Sequence, residues 1–242
     1  MKGTNTVTKS FPSPDGSLKV HSIWYTIQGE GPDAGRPAIF VRLSHCNLRC
    51  YFCDTQFDTG VVLPLDEAVE KVYSLSKTHK CGLVVITGGE PFLQNIVPFV
   101  QALNRLEISV SVETAGTVYA QDLELVFHPS RMHYDNIIVC SPKTPTLNKK
   151  VIPLIGALKY IARMGEISTG DGLPIFSTQV SGKRVDLYRP CRSLARGVPI
   201  YIQPMDEGDA YPTRVNMELA AKICMEYGYR LSIQVHKLVG VD

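Results

Sequence analysis

Three cysteines fall within eight residues, Cys46-Asn47-Leu48-Arg49-Cys50-Tyr51-Phe52-Cys53, and no other feature restricts this chain as strongly. Thiolates at CxxxCxxC spacing are soft ligands held close together, which points to zinc or to an iron–sulfur cluster. Structural zinc takes four closed ligands. His45 offers a fourth, but it adjoins Cys46, which is awkward for tetrahedral chelation, and no second CxxC pair completes a zinc ribbon. Three thiolates suit a [4Fe–4S] cluster that leaves one iron open to a non-cysteine ligand. The other four of the seven cysteines, Cys81, Cys140, Cys191 and Cys224, are scattered and read as small buried hydrophobes. An odd count in a chain of 242 residues argues against a disulfide framework.

The array follows a β-rich run at 37–43, and similar runs recur at 83–87, 108–113, 136–141, 156–162, 198–203 and 230–235. Helical periodicity marks 66–79, 96–106 and 216–227, while 165–184, rich in Gly, Ser and Thr, reads as loop or insertion. Strands alternating with helices imply parallel pairing and an α/β domain. Six or seven strands are too few for a closed eight-fold barrel, and no GxGxxG follows the first strand as a doubly wound sheet would have it. The expectation is one domain over 1–242, an α/β partial (incomplete) TIM-like barrel, with 1–19 loosely ordered. The unusual polar residues cluster just after strands, at 46–55, 87–91, 113–116, 141–143, 203–206 and His236. In a parallel barrel those carboxyl ends share the face where active sites are built.

Composition removes other classes. Lys plus Arg minus Asp plus Glu is 25 − 23 = +2, so no large field recruits nucleic acid or an anionic membrane. No run approaches the roughly 18 apolar residues of a membrane span. The polar amino terminus has no signal-peptide core, which makes a cytoplasmic address the expectation.

CxxxCxxC with Phe52 before the last cysteine, together with Thr87-Gly88-Gly89-Glu90-Pro91 after the next strand, resembles the radical S-adenosylmethionine (SAM) enzymes. The flanks narrow the likeness. Ile27-Gln28-Gly29-Glu30-Gly31-Pro32, Phe40-Val41-Arg42-Leu43, Cys53-Asp54-Thr55 and Glu113-Thr114-Ala115-Gly116-Thr117 are similar to the 7-carboxy-7-deazaguanine synthase family of queuosine-type deazapurine biosynthesis. So are Ser141-Pro142-Lys143, Tyr201-Ile202-Gln203-Pro204-Met205-Asp206 and Gln234-Val235-His236-Lys237.

The resemblance implies a partial barrel of the radical SAM type and a lyase. Its reaction would be the radical ring contraction of 6-carboxy-5,6,7,8-tetrahydropterin, with loss of ammonia. It also implies a [4Fe–4S] cluster on Cys46, Cys50 and Cys53, SAM, Mg2+ on Thr55, an external flavodoxin-like electron donor and a homodimer. By the same likeness SAM would meet Phe52, Asp54, Gly88, Gly89, Glu90, Ser141, Pro142, Lys143, Gln203, Pro204, Met205 and Asp206. The pterin would meet Ile27, Gln28, Gly29, Glu30, Arg42, Thr87, Glu113, His236 and Asp242. Arg42 suits a bidentate grip on a carboxylate, and Glu113 and Gln28 suit the polar edge of an aminopyrimidinone. The segment 149–196 and the charged Asp242 depart from the family pattern. Two other readings compete: a glycyl-radical-activase-like enzyme, in which Gln28 to Gly31, Arg42 and His236-Lys237 are idle, and a zinc-stabilised binding module.

Anaerobically reconstituted Cys50→Ala is expected to lose iron–sulfur absorption while Cys191→Ala keeps it. Equal losses in the two variants would remove the ligand assignment.

Overall fold

The structure is a computed structural model and describes residues 5–11, 13, 15–53, 55–127, 135–179, 186–191 and 197–241. Nine strands make one open sheet: β1 (Leu18–Ile27), β2 (Pro37–Leu43), β3 (Val61–Leu63), β4 (Leu83–Gly88), β5 (Ser109–Thr114), β6 (Ile137–Cys140), β7 (Ile155–Ala162), β8 (Ile200–Pro204) and β9 (Arg230–Leu231). The order is β3-β1-β2-β4-β5-β6-β7-β8-β9. β1 pairs antiparallel with β2 and β3, and every other neighbouring pair is parallel. With β3 and β9 as its two edges, the sheet is the expected incomplete barrel.

Alternation along the strands sorts residues onto two faces. Ile39, Val41, Val84, Ile86, Val110, Val112, Ile138, Leu158, Tyr160 and Ile202 join one large apolar cluster with the helices. Those helices are α1 (Leu65–His79), α2 (Val97–Arg105), α3 (Glu124–Phe127) and α4 (Ala210–Tyr227), and α5 (Val235–Val239) follows β9. α1 carries Asp66 and Glu67 in its first turn and Lys77 and His79 in its last, both favourable to the helix dipole. α4 is capped by Asp209, whose side chain accepts from the Tyr211 N–H, and ends on Gly228 in the left-handed conformation. The opposite face holds only two small apolar clusters, around Ala38, Leu83 and Val85 and around Val139, Ala157 and Tyr201. No helix among the described residues is long and apolar enough to cross a membrane.

Several expectations need correction. β1 and β3 were not foreseen, because Leu18-Lys19-Val20-His21-Ser22 lacks the apolar density of a parallel core strand; pairing at an antiparallel edge tolerates that mixture. α4 starts six residues before the expected 216, since Pro212 sits in its first turn, where a missing N–H costs nothing. The expected strand 230–235 is only Arg230–Leu231, and His236 lies in α5 rather than just past a strand end. Where described, the amino-terminal residues touch the cysteine loop: Asn5 is buried, and Thr8 N–H donates to the Cys46 carbonyl at 2.7 Å. Cys191 is exposed, whereas Cys81 and Cys140 are buried. The described part of 165–184 is irregular apart from one bridge between Ile167 and Pro174 and another from Gln179 to Cys50; residues 180–184 lie outside the described residues.

Leu103→Ala, at a fully buried position of the main cluster, should cost about 2–5 kcal/mol in urea unfolding. Leu106→Ala, 36% exposed at the end of α2, should cost under about 1 kcal/mol.

Candidate functional site

The face away from the helices changes character toward the carboxyl ends of its strands. Below lie Ala38, Phe40, Val85, Ser111, Val139, Ala157 and Tyr201. One alternation higher come Arg42, Thr87, Glu113, Lys159 and Gln203, which line a cavity of about 1300 Å³. Ser22, Trp24 and Thr26 line it from β1, and the cysteine loop closes it from above.

Its electrostatic centre is Lys159 on β7, 5% exposed. The ammonium ion-pairs with Glu30 and, at 3.3 Å, with Glu113. Glu30 also accepts from Gln203 at 3.0 Å and from Gln234 at 2.7 Å. Glu113 accepts from Gln28 at 3.3 Å and from the Thr87 hydroxyl at 3.0 Å. Burial alone would raise the Glu30 pKa, but the Lys159 charge and hydrogen bond, with help from Gln234 and His236, hold it below the usual carboxylate range. Burial pulls Lys159 down and the two carboxylates more than compensate, so it stays charged. Sequence reasoning missed Lys159 altogether. The available signal was a lone cation inside the apolar strand Ile155-Gly156-Ala157-Leu158-Lys159-Tyr160-Ile161-Ala162, where an unpaired charge could not be buried.

The Arg42 guanidinium lies 4.8 Å from the centre of the Trp24 ring, and the Lys143 ammonium lies 5.2 Å from that of Phe52. Burial lowers the Lys143 pKa. Of the remaining expected residues, Ile27, Gln28, Thr55, Gly88, Gly89, Ser141, Pro204, Met205, Asp206 and His236 line the same cavity. Gly29 does not line it, yet it is needed there: a Cβ on Gly29 would stand 1.8 Å from Nδ1 of His236. Val235 N–H donates to the Gly29 carbonyl at 3.1 Å, so the Gln28-Gly29-Glu30-Gly31 turn and α5 are built against each other. Asp206 is paired with Lys237 at 2.5 Å. Pro142 is buried off the cavity. Asp54 and Asp242 lie outside the described residues.

Glu90 departs from expectation. Its carboxylate is fully buried and does not line the cavity; it accepts from Thr114 Oγ1 at 2.6 Å, Ala115 N–H at 2.9 Å and Phe92 N–H at 3.1 Å. Burial raises its pKa against those three bonds. Glu90 therefore shapes the turn after β5.

Cys46, Cys50 and Cys53 all line the cavity beneath their loop. The Gly88-Gly89 turn lets the β4 end pass directly under that loop, since a Cβ on Gly89 would stand 1.8 Å from the His45 carbonyl oxygen. Two segments that sequence reasoning left without a role hold the loop. Asn5 Nδ2 donates to the Thr55 carbonyl at 2.7 Å and reaches Cys53 Sγ at 3.7 Å. From the irregular segment, Thr178 Oγ1 lies 3.1 Å from Cys50 Sγ, and Tyr51 N–H donates to the Thr178 carbonyl at 3.0 Å. Among the described residues no three Cys, His, Asp or Glu side chains are gathered as a finished ligand set. The donor chemistry nevertheless fits an iron–sulfur cluster: three thiols line the one cavity together. Burial pushes the Cys46 thiol up to about 12, a position that a bound cation would reverse. A polar ligand fits the floor, where Thr26 Oγ1 and Gln203 Oε1 are buried without hydrogen-bond partners among the described residues. Thr55 lines the cavity and could offer a divalent cation one neutral oxygen.

Residues 41–135 match the Radical SAM superfamily. The chain is 39% identical over 246 residues to the 7-carboxy-7-deazaguanine synthase of Rhodospirillum rubrum, covering all of both proteins. It is 36% identical to that of Rickettsia prowazekii, over 97% of this chain and 93% of the relative. The fold superposes on the crystal structure of QueE from Escherichia coli with a TM-score of 0.63 and 21% identity, over 90% of this chain and 94% of the other.

Gly29→Ala should displace the His236 ring. Hydrogen exchange of the Val235–Val239 amides is then expected to accelerate while β2 and β4 to β8 stay protected. Unchanged exchange in α5 would show that the close contact carries no structural weight.

Proposed function

The chain belongs to the 7-carboxy-7-deazaguanine synthase family, and on that premise we propose that it contracts the ring of 6-carboxy-5,6,7,8-tetrahydropterin to 7-carboxy-7-deazaguanine with loss of ammonia. It is a radical SAM enzyme of deazapurine biosynthesis. What supports the finer reading is one juxtaposition: two carboxylates paired with one lysine, and an arginine beside them, share a single cavity with three thiols.

Cys46, Cys50 and Cys53 would hold the cluster. When bound and reduced, the cluster with SAM supplies a carbon radical able to take hydrogen from an unactivated position. The chain's own residues then have three tasks. Glu113 and Glu30 present acceptors to the amino and ring N–H donors of the pterin edge, and Gln28 adds a carboxamide that can both donate and accept. Arg42, held against Trp24, presents a fork of donors to the substrate carboxylate. The Gly88-Gly89 turn, Ser141, Lys143 and residues 203–206 shape the wall between that polar layer and the thiols, which fits the elongated SAM molecule. Thr55 would hold magnesium against the substrate, and His236 would contact the pterin from α5. The electron would come from an external flavodoxin-like donor. A glycyl-radical-activase-like enzyme would leave the Glu30, Lys159 and Glu113 network without a ligand to recognise, and a zinc module would leave the whole cavity unexplained.

Anaerobic turnover of 6-carboxytetrahydropterin with mass analysis of the product tests this reading. The expected product has lost ammonia, and recovery of unchanged pterin from cluster-loaded enzyme would refute it. Thr55→Ala should keep its iron and bind SAM but lose most of its response to added Mg2+. Undiminished magnesium stimulation would remove Thr55 from the metal site.

A further inference from the structure

Nothing in the family resemblance assigned a role to Lys159, yet it is the most deeply buried charge in the cavity. It sits on β7, between a carboxylate from the turn after β1 and another from β5. Glu30 and Glu113 meet the same ammonium, so without it two carboxylates would share one desolvated site. Such pairs retain a proton, as like charges in a poorly solvated cavity cannot both ionise. A retained proton would turn one acceptor into a donor on the side where the pterin presents N–H groups.

We propose that Lys159 is a positioning residue for substrate recognition: by pairing with Glu30 and Glu113 together, it keeps both as fixed, ionised acceptors and thereby selects a ligand edge made of N–H donors. This rests on the functional reading above for the identity of the ligand, but the charge state itself does not. The remaining hydrogen bonds of the pair agree with an acceptor role. Gln203, Gln234, Gln28 and Thr87 all approach the two carboxylates as donors. Among the described residues, the other charged or titratable groups lining the cavity are His21, Arg42, Arg49, Lys143, Asp206, His236, Lys237 and the three cysteines. Asp206 is engaged by Lys237. His236 also bears electrostatically on Glu30, so it must be controlled for.

Two experiments test the proposal. In the first, kcat/KM for 6-carboxytetrahydropterin is followed against pH in wild type, Lys159→Gln and Lys159→Arg, each repeated in a His236→Gln background. Lys159→Gln is expected to raise KM about tenfold or more with a smaller change in kcat, and to move the acid limb of kcat/KM up by about one pH unit or more. Lys159→Arg should recover most of both, and iron content should be unchanged throughout. A Lys159→Gln enzyme with native KM and an unmoved acid limb overturns the proposal. The second experiment needs no substrate, no variant at 159 and no functional assumption. Infrared difference spectra of the wild-type chain between pH 8 and pH 5.5 are compared with those of Glu30→Gln and Glu113→Gln. These subtractions remove any band common to all three proteins, including one from the buried Glu90. The expected result is no protonated-carboxyl band assignable to Glu30 or Glu113. A band that disappears in either Gln variant overturns the proposal, even if Lys159→Gln fails to fold. If wild type leaves the pterin unchanged while the infrared result holds, the substrate assignment fails and the charge arrangement stands.

Discussion

A strand in a parallel sheet offers its side chains alternately to two faces, and everything distinctive about this molecule follows from how differently the two are used. The helix-facing positions are closed by α1, α2 and α4 and carry the main apolar cluster. Among the described residues the opposite face carries only two small apolar clusters, and at its carboxyl ends it lines the cavity. A face of that kind needs something polar to hold or something apolar to bury it. Here the lower positions are mostly apolar, and above them Arg42, Thr87 and Glu113 lie in register across β2, β4 and β5, while Lys159 and Gln203 stand one and two alternations further toward the carboxyl ends of β7 and β8. One residue of register slip would exchange that layer with the core.

The charged layer is costly to the fold. Removing an ammonium and two carboxylates from water carries a penalty of several kcal/mol per ion that their attraction repays only with near-complete hydrogen bonding. The network of Gln28, Thr87, Gln203 and Gln234 supplies that bonding. A hydrophobic triad of the same volume would satisfy the sheet equally well, so the retained charges are better understood through recognition than through stability. Glu90 shows the contrast. It is also a buried carboxylate, but it is satisfied by Thr114, Ala115 and Phe92 within the turn and does not face the cavity.

The parallel strands and the motifs at their ends were legible because a buried parallel strand is a dense apolar run and each ends in Gly, Pro or polar residues. β2 matches its expected limits, and β4 to β8 lie within two residues of theirs. β1 was not legible, since its polar residues are tolerated by antiparallel edge pairing, which composition does not announce. Cys46, Cys50 and Cys53 were visible from spacing alone. Lys159 was not, because nothing local distinguishes a paired buried lysine from an exposed strand residue; its partners lie 129 and 46 residues away. Asn5 and Thr178 escaped for the same reason, each reaching the cysteine loop across a long span of chain.

The contact between Gly29 and His236, with Gln234 on Glu30 across 204 residues, has a consequence for how the molecule is made. Closing so long a loop is entropically the last thing a growing chain can do, and contacts of that separation form late. The cysteine loop takes its framework from β2, β4, Asn5 and Thr178, so it can take shape once the chain has passed residue 178, before α4 and α5 are in place. The ligand-selecting half of the cavity has to wait for α5. During synthesis the reactive thiols are thus organised before the walls that would discriminate among their visitors, which places the vulnerable interval of this protein in biogenesis and not in turnover.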